Sequence, residues 1–408
     1  MNPKDNHVEH QTAKRSGNFM MSHKNINMQF HEKTLELNIT HELLNLADSW
    51  YWFLTDIPLW RYWRPRHRLP FLKFPKSTSG GFHITTEGKN DPTGNAGGGF
   101  DVRIKTGSGG HLLFIQYKKG DLVTTSPDLK SIFNNLPHDH FKFKINSTTT
   151  NQHFVLRDLA NGIGKTKGNA VVYALPLIAD MDELEANAGK LIRKTKFISI
   201  ADIDRQAAAQ KPSVSFTKGM EHNFRVGKFN LNRCEVNFFY FSFYGKDRTS
   251  EIIADIIAIK FQKTLSYFLK VIETNYKKYK LSEEYIQYGL QQSFVQYARY
   301  LLHYFEVSPT KLDIPFIKNY NNFYSNEFNE YESTSRDIEL LTSVFNALSE
   351  FEKFISSIDK NHEKILSKDI PQYEPKFLIQ SESENGFNIK FEEQTSLEII
   401  EGINYLVI

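Results

Sequence analysis

The hydrophobic pattern predicts short strands and helices in the first part of the chain. Apolar residues recur every three or four positions between 35 and 54, which predicts an amphipathic helix. Residues 100–105 and 112–118 are short apolar and β-branched runs joined by a glycine-rich connection, which predicts an antiparallel hairpin. Alternation in 141–145 predicts another strand. The nearly continuous apolar run 170–176 predicts a strand that is buried on both faces.

The pattern changes after Gly245 to long amphipathic helices. Apolar stripes with helical spacing run through residues 252–272, 285–305 and 338–358. A shorter helix is predicted at 151–160, within the first part. The predicted organisation is therefore a polar, disordered tail at 1–30, an α/β domain at 31–245, an all-α helical domain at 246–370 and a small C-terminal hairpin segment at 371–408.

Composition agrees with a globular protein in a reducing compartment. The chain has 408 residues, of which 40% are hydrophobic and 24% are charged, so it can build a sizeable core. The single cysteine, Cys234, excludes an internal disulfide framework and a multi-cysteine zinc site. No apolar stretch is long enough to span a bilayer, and the first thirty residues lack a signal-peptide core. We expect a cytoplasmic protein without a membrane partner.

The charge distribution permits a nucleic-acid partner without requiring one, since the formal net charge is only +3. Four arginines without an intervening acid follow the first predicted helix, namely Arg61, Arg64, Arg66 and Arg68. They alternate with aromatic rings between several prolines, a composition that suits phosphate and stacking contacts. In the other interpretation, Trp60 and Trp63 pack in the core and the arginines are merely solvated.

Three polar residues at the strand ends of the predicted hairpin give it chemical interest. Asp101 opens the first strand, while Gln116 and Lys118 lie two positions apart near the end of the second and so share one face. Metal-dependent phosphodiester hydrolysis uses carboxylates to hold Mg²⁺ and a cation to offset charge in the transition state. Asp101 is a suitable ligand, Gln116 a weaker neutral one, and Lys118 a suitable cation.

A further carboxylate is expected, because a neutral Gln116 cannot complete the metal site with Asp101. Glu87 is the first candidate for both catalysis and metal binding, followed by Asp91 and then Glu42. In the other interpretation, Asp101 caps its strand, Gln116 makes a local hydrogen bond and Lys118 is a solvated charge. Basic residues near the hairpin favour a polyanionic substrate, and among them are Arg103 and Lys119.

The predicted order of helix, Asp101 strand, Gln116-Tyr117-Lys118 strand, helix and apolar strand resembles the PD-(D/E)XK, or restriction-endonuclease-like, nuclease superfamily. It resembles most closely the Mrr-type branch, in which a glycine-rich segment leads into the aspartate and glutamine replaces the acid of the second strand. The resemblance covers roughly residues 35–180. It implies that Asp101 binds metal, that Gln116 occupies the substituted acid position, that Lys118 is catalytic and that Gln152 is a functional helix glutamine.

The resemblance implies a mixed sheet flanked by helices and an endonuclease that depends on Mg²⁺ or Mn²⁺. The expected substrate is double-stranded DNA, and such proteins often act as effectors of bacterial restriction or anti-phage defence. The helical domain would then bind a partner protein or mediate self-association. The alternatives are a nuclease-like protein that binds nucleic acid or a partner without cutting, and a purely structural subunit.

Overall fold

The architecture of the chain is that of a computed structural model. The structure describes residues 31–55, 82–86, 100–106, 111–123, 140–146, 151–163, 168–210, 222–227, 232–236, 239–242, 247–279, 283–319, 328, 331–358 and 369–380. The predicted tail at 1–30 lies outside these residues, and so does most of the predicted C-terminal hairpin.

The first part of the chain is mixed α/β, as the pattern predicts. Its helices and strands are α1 Glu32–Thr55, β1 Phe82–Thr86, β2 Val102–Thr106, β3 His111–Tyr117, β4 Gly120–Val123, β5 His140–Asn146, α2 Gln152–Ile163, β6 Val171–Pro176, α3 Met181–Ala186, α4 Leu191–Lys194, β7 Thr195–Ser199, α5 Ile200–Gln210, β8 His222–Gly227, β9 Asn232–Val236 and β10 Phe239–Ser242. The later elements are α6 Thr249–Tyr279, α7 Glu283–Phe305, α8 Pro315–Asn319, α9 Ser335–Ser357 and β11 Ile379–Gln380.

The strands form two sheets. The first has the order β1-β2-β3-β6-β7, and β11 pairs with the beginning of β3. Only β3 and β6 run parallel in it, and the remaining pairs are antiparallel. The second sheet, β10-β9-β8-β5-β4, is antiparallel throughout. The predicted hairpin is confirmed as β2-β3, and β6 is buried along its full length, as its continuous apolar run requires.

Alternate residues of the first sheet contribute to two separate cores. Ile115 and Tyr117 of β3 belong to one, together with the apolar stripe of α1. Phe114 belongs to the other, which also contains buried residues of α2, β5 and β8. The period of two along β3 thus packs α1 on one face of the hairpin, and α2 with the second sheet on the other.

The long C-terminal helices pack on α1. The indole of Trp50 stacks on the ring of Phe261 in α6 with a centroid distance of 4.3 Å, and Tyr297 in α7 lies 5.7 Å from it. One continuous buried core therefore contains α1, part of the first sheet and helices α6, α7 and α9. The proposed division of the chain near residue 245 stays a prediction, and the buried core is continuous across it.

The segment after α9 ties the helices to the first sheet. Asp255 of α6 accepts hydrogen bonds from the backbone N–H groups of Lys376, Phe377 and Leu378, at 3.1, 2.6 and 3.0 Å. The next residue, Ile379, begins β11, which pairs with β3. None of the helices described here is both long and apolar enough to cross a membrane.

Candidate functional site

The end of the β2-β3 hairpin brings Asp101 and Gln116 into direct contact. The backbone N–H of Asp101 donates to the carbonyl of Ile115 at 2.9 Å, which extends the hairpin ladder by one residue. Asp101 Oδ2 accepts from Gln116 Nε2 at 2.5 Å and from the backbone N–H of Tyr117 at 2.8 Å. The carboxylate is therefore fixed against the end of β3, where the strand alternation predicts Gln116.

Gln116 is buried and leaves its amide oxygen unsatisfied. Its Nε2 also donates to the carbonyl of Tyr117 at 2.9 Å, and the side chain is only 1% exposed. Its Oε1 has no hydrogen-bond partner within the part of the chain that the structure describes. A buried carbonyl oxygen without a partner is costly, so a ligand that accepts its lone pairs would stabilise this arrangement.

The N-terminal turn of α1 supplies acidic residues that the sequence analysis did not single out. Glu36 is 2% exposed, and its Oε2 lies 2.6 Å from Lys33 Nζ. The same ammonium lies 3.9 Å from Asp101 Oδ1, so Lys33 stands between the two carboxylates. Glu32 Oε2 accepts from the backbone N–H of Lys119 at 3.0 Å, which fixes the start of α1 to the end of the hairpin.

The carboxylates influence one another's charge. Burial, followed by the negative charge of Glu36, raises the pKa of Asp101 to about 7, while the Tyr117 N–H opposes this shift. Burial lowers the pKa of Lys33, but the neighbouring Glu36 and Asp101 carboxylates outweigh it and raise the pKa overall. A cation near this carboxylate pair is therefore favourable, and Lys33 supplies one.

Lys118 and Gln152 are in contact just beyond the end of β3. Lys118 continues the pairing of β3 with β6, because its backbone N–H donates to the carbonyl of Ala174 at 3.0 Å. Its ammonium donates to Gln152 Oε1, at the first residue of α2. Two of the four residues for which the resemblance implies a role are thus in contact, although 34 positions separate them in the sequence.

The position of Gln152 depends on its neighbour His153. The imidazole of His153 is fully buried, with Nδ1 2.9 Å from the hydroxyl of Tyr173 and Nε2 3.1 Å from Asp204 Oδ1. Arg157 holds Asp204 with two further hydrogen bonds, at 2.6 and 2.7 Å. These contacts anchor the first turns of α2 to β6 and α5, and they thereby direct Gln152 towards Lys118.

The other residues predicted for the site lie elsewhere or outside the described part of the chain. Glu42, the third candidate for the missing acid, is buried. Its carboxylate accepts hydrogen bonds from the backbone N–H groups of Leu191 and Ile192 at 2.9 and 3.0 Å, and it therefore binds the N-terminal end of α4. Arg103 and Lys119 are half-buried near the hairpin. Several predicted residues lie outside the described part of the chain, namely Arg61, Arg64, Arg66, Arg68, Glu87 and Asp91.

The polar residues that flank the apolar stripe of α1 are the signal that could have identified Glu36 as a site residue. Glu36 and Thr40 are buried polar residues, four positions apart, that flank an apolar stripe. Thr40 hydrogen-bonds the hydroxyl of Tyr117 at 2.9 Å, so this polar flank faces the hairpin. Among the described residues, no three His, Cys, Asp or Glu side chains come together as a potential metal site. The candidate metal ligands at this site are therefore the carboxylates of Asp101 and Glu36 and the amide of Gln116.

The chain has no match among known proteins in three comparisons, covering protein-family models, curated proteins and solved structures. The roles of Asp101, Gln116 and Lys118 stay predictions, and they depend on the chemistry and geometry of the residues themselves.

Proposed function

We propose that this protein is a metal-dependent DNA endonuclease that hydrolyses phosphodiester bonds. One observation carries the proposal: the carboxylates of Asp101 and Glu36 lie on either side of one cation, next to the Gln116 amide and close in sequence to Lys118. Carboxylate and amide oxygens are ligands that Mg²⁺ and Mn²⁺ prefer.

The donor set has the chemistry to hold a divalent ion. Gln116 Oε1 is buried without a hydrogen-bond partner among the described residues, and half a turn of its amide would direct this oxygen to the side of Asp101. Asp101, Glu36 and Gln116 would hold Mg²⁺ or Mn²⁺, with Lys33 displaced towards solvent. When bound, the ion would polarise a phosphoryl oxygen and lower the pKa of a bound water.

Lys118 is the group that we assign to the phosphate. Its ammonium is half-buried and held by Gln152, so it is oriented before substrate arrives. A fixed cation beside a phosphodiester offsets the charge that develops on the phosphoryl oxygens in the transition state. Gln152 is then a positioning residue, which sets where Lys118 Nζ lies.

The order of elements gives further support. Helix α1, strands β1 to β3, helix α2 and strand β6 follow one another in the order that the resemblance to the restriction-endonuclease-like superfamily implies. Basic residues near the site, Arg103 and Lys119, suit a DNA substrate. A role in restriction or anti-phage defence, with a partner or self-association through α6 to α9, rests on that resemblance alone.

The test is cleavage of plasmid DNA by the purified protein with Mg²⁺ or Mn²⁺. We expect wild-type protein to cut and Asp101→Ala and Lys118→Ala to be inactive. Matched controls are Asp313→Ala and Lys353→Ala, which change an exposed acid and an exposed lysine in the helical part and should retain activity. Equal cleavage by all five proteins would show that the nuclease site is assigned to the wrong residues.

A second candidate function is binding of DNA without cleavage. It is favoured by Lys33, because this residue already neutralises the carboxylate pair, and by the neutral Gln116, which lowers metal affinity. The two functions differ in a direct experiment. If the protein only binds DNA, wild type should bind a duplex in EDTA, and the Asp101→Ala variant should bind it equally well. Wild type should then leave plasmid DNA uncut in both Mg²⁺ and Mn²⁺.

A further inference from the structure

The second sheet has one buried face and one outer face. In β5 the side chains of Phe141, Phe143 and Ile145 are buried in the core shared with α2. Of the alternate positions, Lys142 is half-buried and Lys144 is exposed, whereas His140 and Asn146 at the two ends of the strand are buried. Because side chains alternate across a strand, Lys142 and Lys144 share the face opposite Phe143, which is the outer face of the sheet in the middle of β5.

Cross-strand pairing aligns further basic positions with Lys142. Lys142 pairs with Arg225 of β8, and Arg225 pairs with Arg233 of β9. Basic residues of three adjacent strands therefore occupy one row, which spans about 10 Å at the usual strand spacing. Asp121 of β4 pairs with Lys142 at the edge of this row, and Glu235 lies in the neighbouring row with Lys144. Within the described strands of this sheet, four basic positions share a face with two acidic ones.

The row lies next to the candidate nuclease site. Strand β4 begins at Gly120, two residues after Lys118. A Cβ atom on Gly120 would lie 2.6 Å from the ring of Phe143, so β4 and β5 pack closely where the hairpin ends. At the other end of β5, Asn146 Oδ1 accepts from the backbone N–H of His153 at 3.4 Å, directly after Gln152. Both Lys118 and Gln152 are thus connected to the second sheet.

We propose that the outer face of the second sheet binds the phosphate backbone of double-stranded DNA next to the site of cleavage. This inference rests on the proposed function, because it extends the contact surface of the same substrate. A row of basic residues is complementary in charge to a polyanion, and such contacts give affinity and register without sequence preference. The face would hold the duplex while Asp101 and Lys118 engage a single phosphodiester.

The test compares two double variants that remove the same charge. Lys142→Gln/Lys144→Gln alters the proposed face, and Lys318→Gln/Lys353→Gln alters two exposed lysines of the helical part. Binding of a fluorescent duplex of mixed sequence is measured in EDTA at several salt concentrations, with thermal melting as the check on folding. We expect the first variant to bind more weakly and to reduce the slope of log K against log salt by about 2, and the second to match wild type.

Each outcome bears on the inference separately from the nuclease proposal. An unchanged salt slope for Lys142→Gln/Lys144→Gln, or the same loss in both variants, would overturn the inference even if wild type cuts DNA. Stronger competition by single-stranded RNA than by duplex DNA would also overturn it. A selective loss of duplex binding, in a protein that cuts no plasmid, would support this surface and reject the nuclease activity.

Discussion

Asp101 is held where its charge is unfavourable in the metal-free protein. Burial and the nearby Glu36 carboxylate raise its pKa to about 7, although two N–H groups donate to it. Such strain is usual for a residue retained for function and costs stability. Between its ordinary pKa of 3.8 and about 7, the folded protein keeps a proton that the unfolded chain has released. The free energy of unfolding therefore falls as pH rises through this window.

Asp101→Asn should accordingly stabilise the metal-free protein. Asparagine keeps an oxygen for the Tyr117 N–H and carries no charge beside Glu36, so we expect a gain of roughly 1–2 kcal/mol above pH 7. The gain should fade as the pH falls towards 4 and disappear below about 3, where the wild-type carboxyl is neutral in both states. Urea unfolding in EDTA at several pH values measures this. An asparagine variant that is no more stable than wild type at pH 8 would contradict the assigned environment.

Glu36 should be as important for cleavage as Asp101. Glu36→Gln keeps the size of the side chain but removes one of the two carboxylates beside Lys33, so we expect cleavage to fall at least about 100-fold. Duplex binding in EDTA should persist. The matched control is Glu42→Gln on the same helix, which should lower the melting temperature because it weakens the hydrogen bonds to Leu191 and Ile192. Wild-type cleavage by the Glu36→Gln protein would show that Glu36 is not a ligand of the proposed metal ion.

The sequence predicted part of the candidate site because that part is local. The hairpin brings Asp101 and Gln116 together through turn geometry and strand alternation, both of which can be read along the chain. Glu36 was missed because its place depends on how α1 docks, and the helical period shows only which side is apolar. The proposed acid Glu87 lies outside the described residues, so its role stays a prediction.

Helix packing depends on a buried ion pair that periodicity does not reveal. Asp48 of α1 and Lys260 of α6 are 2% and 5% exposed, and Lys260 Nζ lies 2.6 Å from Asp48 Oδ1. Burial lowers the pKa of Lys260, and Asp48 opposes that shift. The pair fixes the register of α1 on α6, since both charges must meet within an otherwise apolar interface.

Breaking this pair on one side should cost more than removing it altogether. Lys260→Met leaves Asp48 buried without its cation, and we expect a loss of about 3–5 kcal/mol in the free energy of unfolding. The double variant Asp48→Leu/Lys260→Met should recover most of that loss. Urea unfolding of the two single variants and the double variant forms the cycle. If the loss in the double variant equals the sum of the losses in the two single variants, the two charges do not stabilise one another.

Predictability differs among the elements for a physical reason. The strand at 171–176 and the helices after residue 249 were predicted because their own apolar pattern determines them. The pairing of β5 with β8 was not predicted, because about eighty residues separate the strands and register is decided by the packing of Phe143 against Phe224. Pairing between strands so far apart in the chain cannot be predicted from a short stretch of sequence.

At the scale of the whole molecule, the buried core joins the two predicted domains. Helix α1 contributes Leu35, Ile39, Leu43, Leu46, Trp50 and Leu54 to a core that continues through α6, α7 and α9. Burying one such side chain stabilises a protein by roughly 2 kcal/mol. Exposing even a few of them would exceed the net stability of about 5–15 kcal/mol that is typical of a folded protein. The β2-β3 hairpin packs on the same α1, so the helices after residue 246 contribute to the core on which the candidate site is built.

A fragment that ends at residue 245 should therefore fail to fold by itself. The full chain should unfold in one urea transition that coincides for far-UV circular dichroism and tryptophan fluorescence, because α1 is common to both halves. The 1–245 fragment should show no sharp transition and should bind a hydrophobic dye, and mixing it with the 246–408 fragment should restore cooperative unfolding. A 1–245 fragment with its own sharp transition would instead establish an independent domain. In that case the contact between α1 and α6 would be a domain interface, and the long helices could move relative to the hairpin.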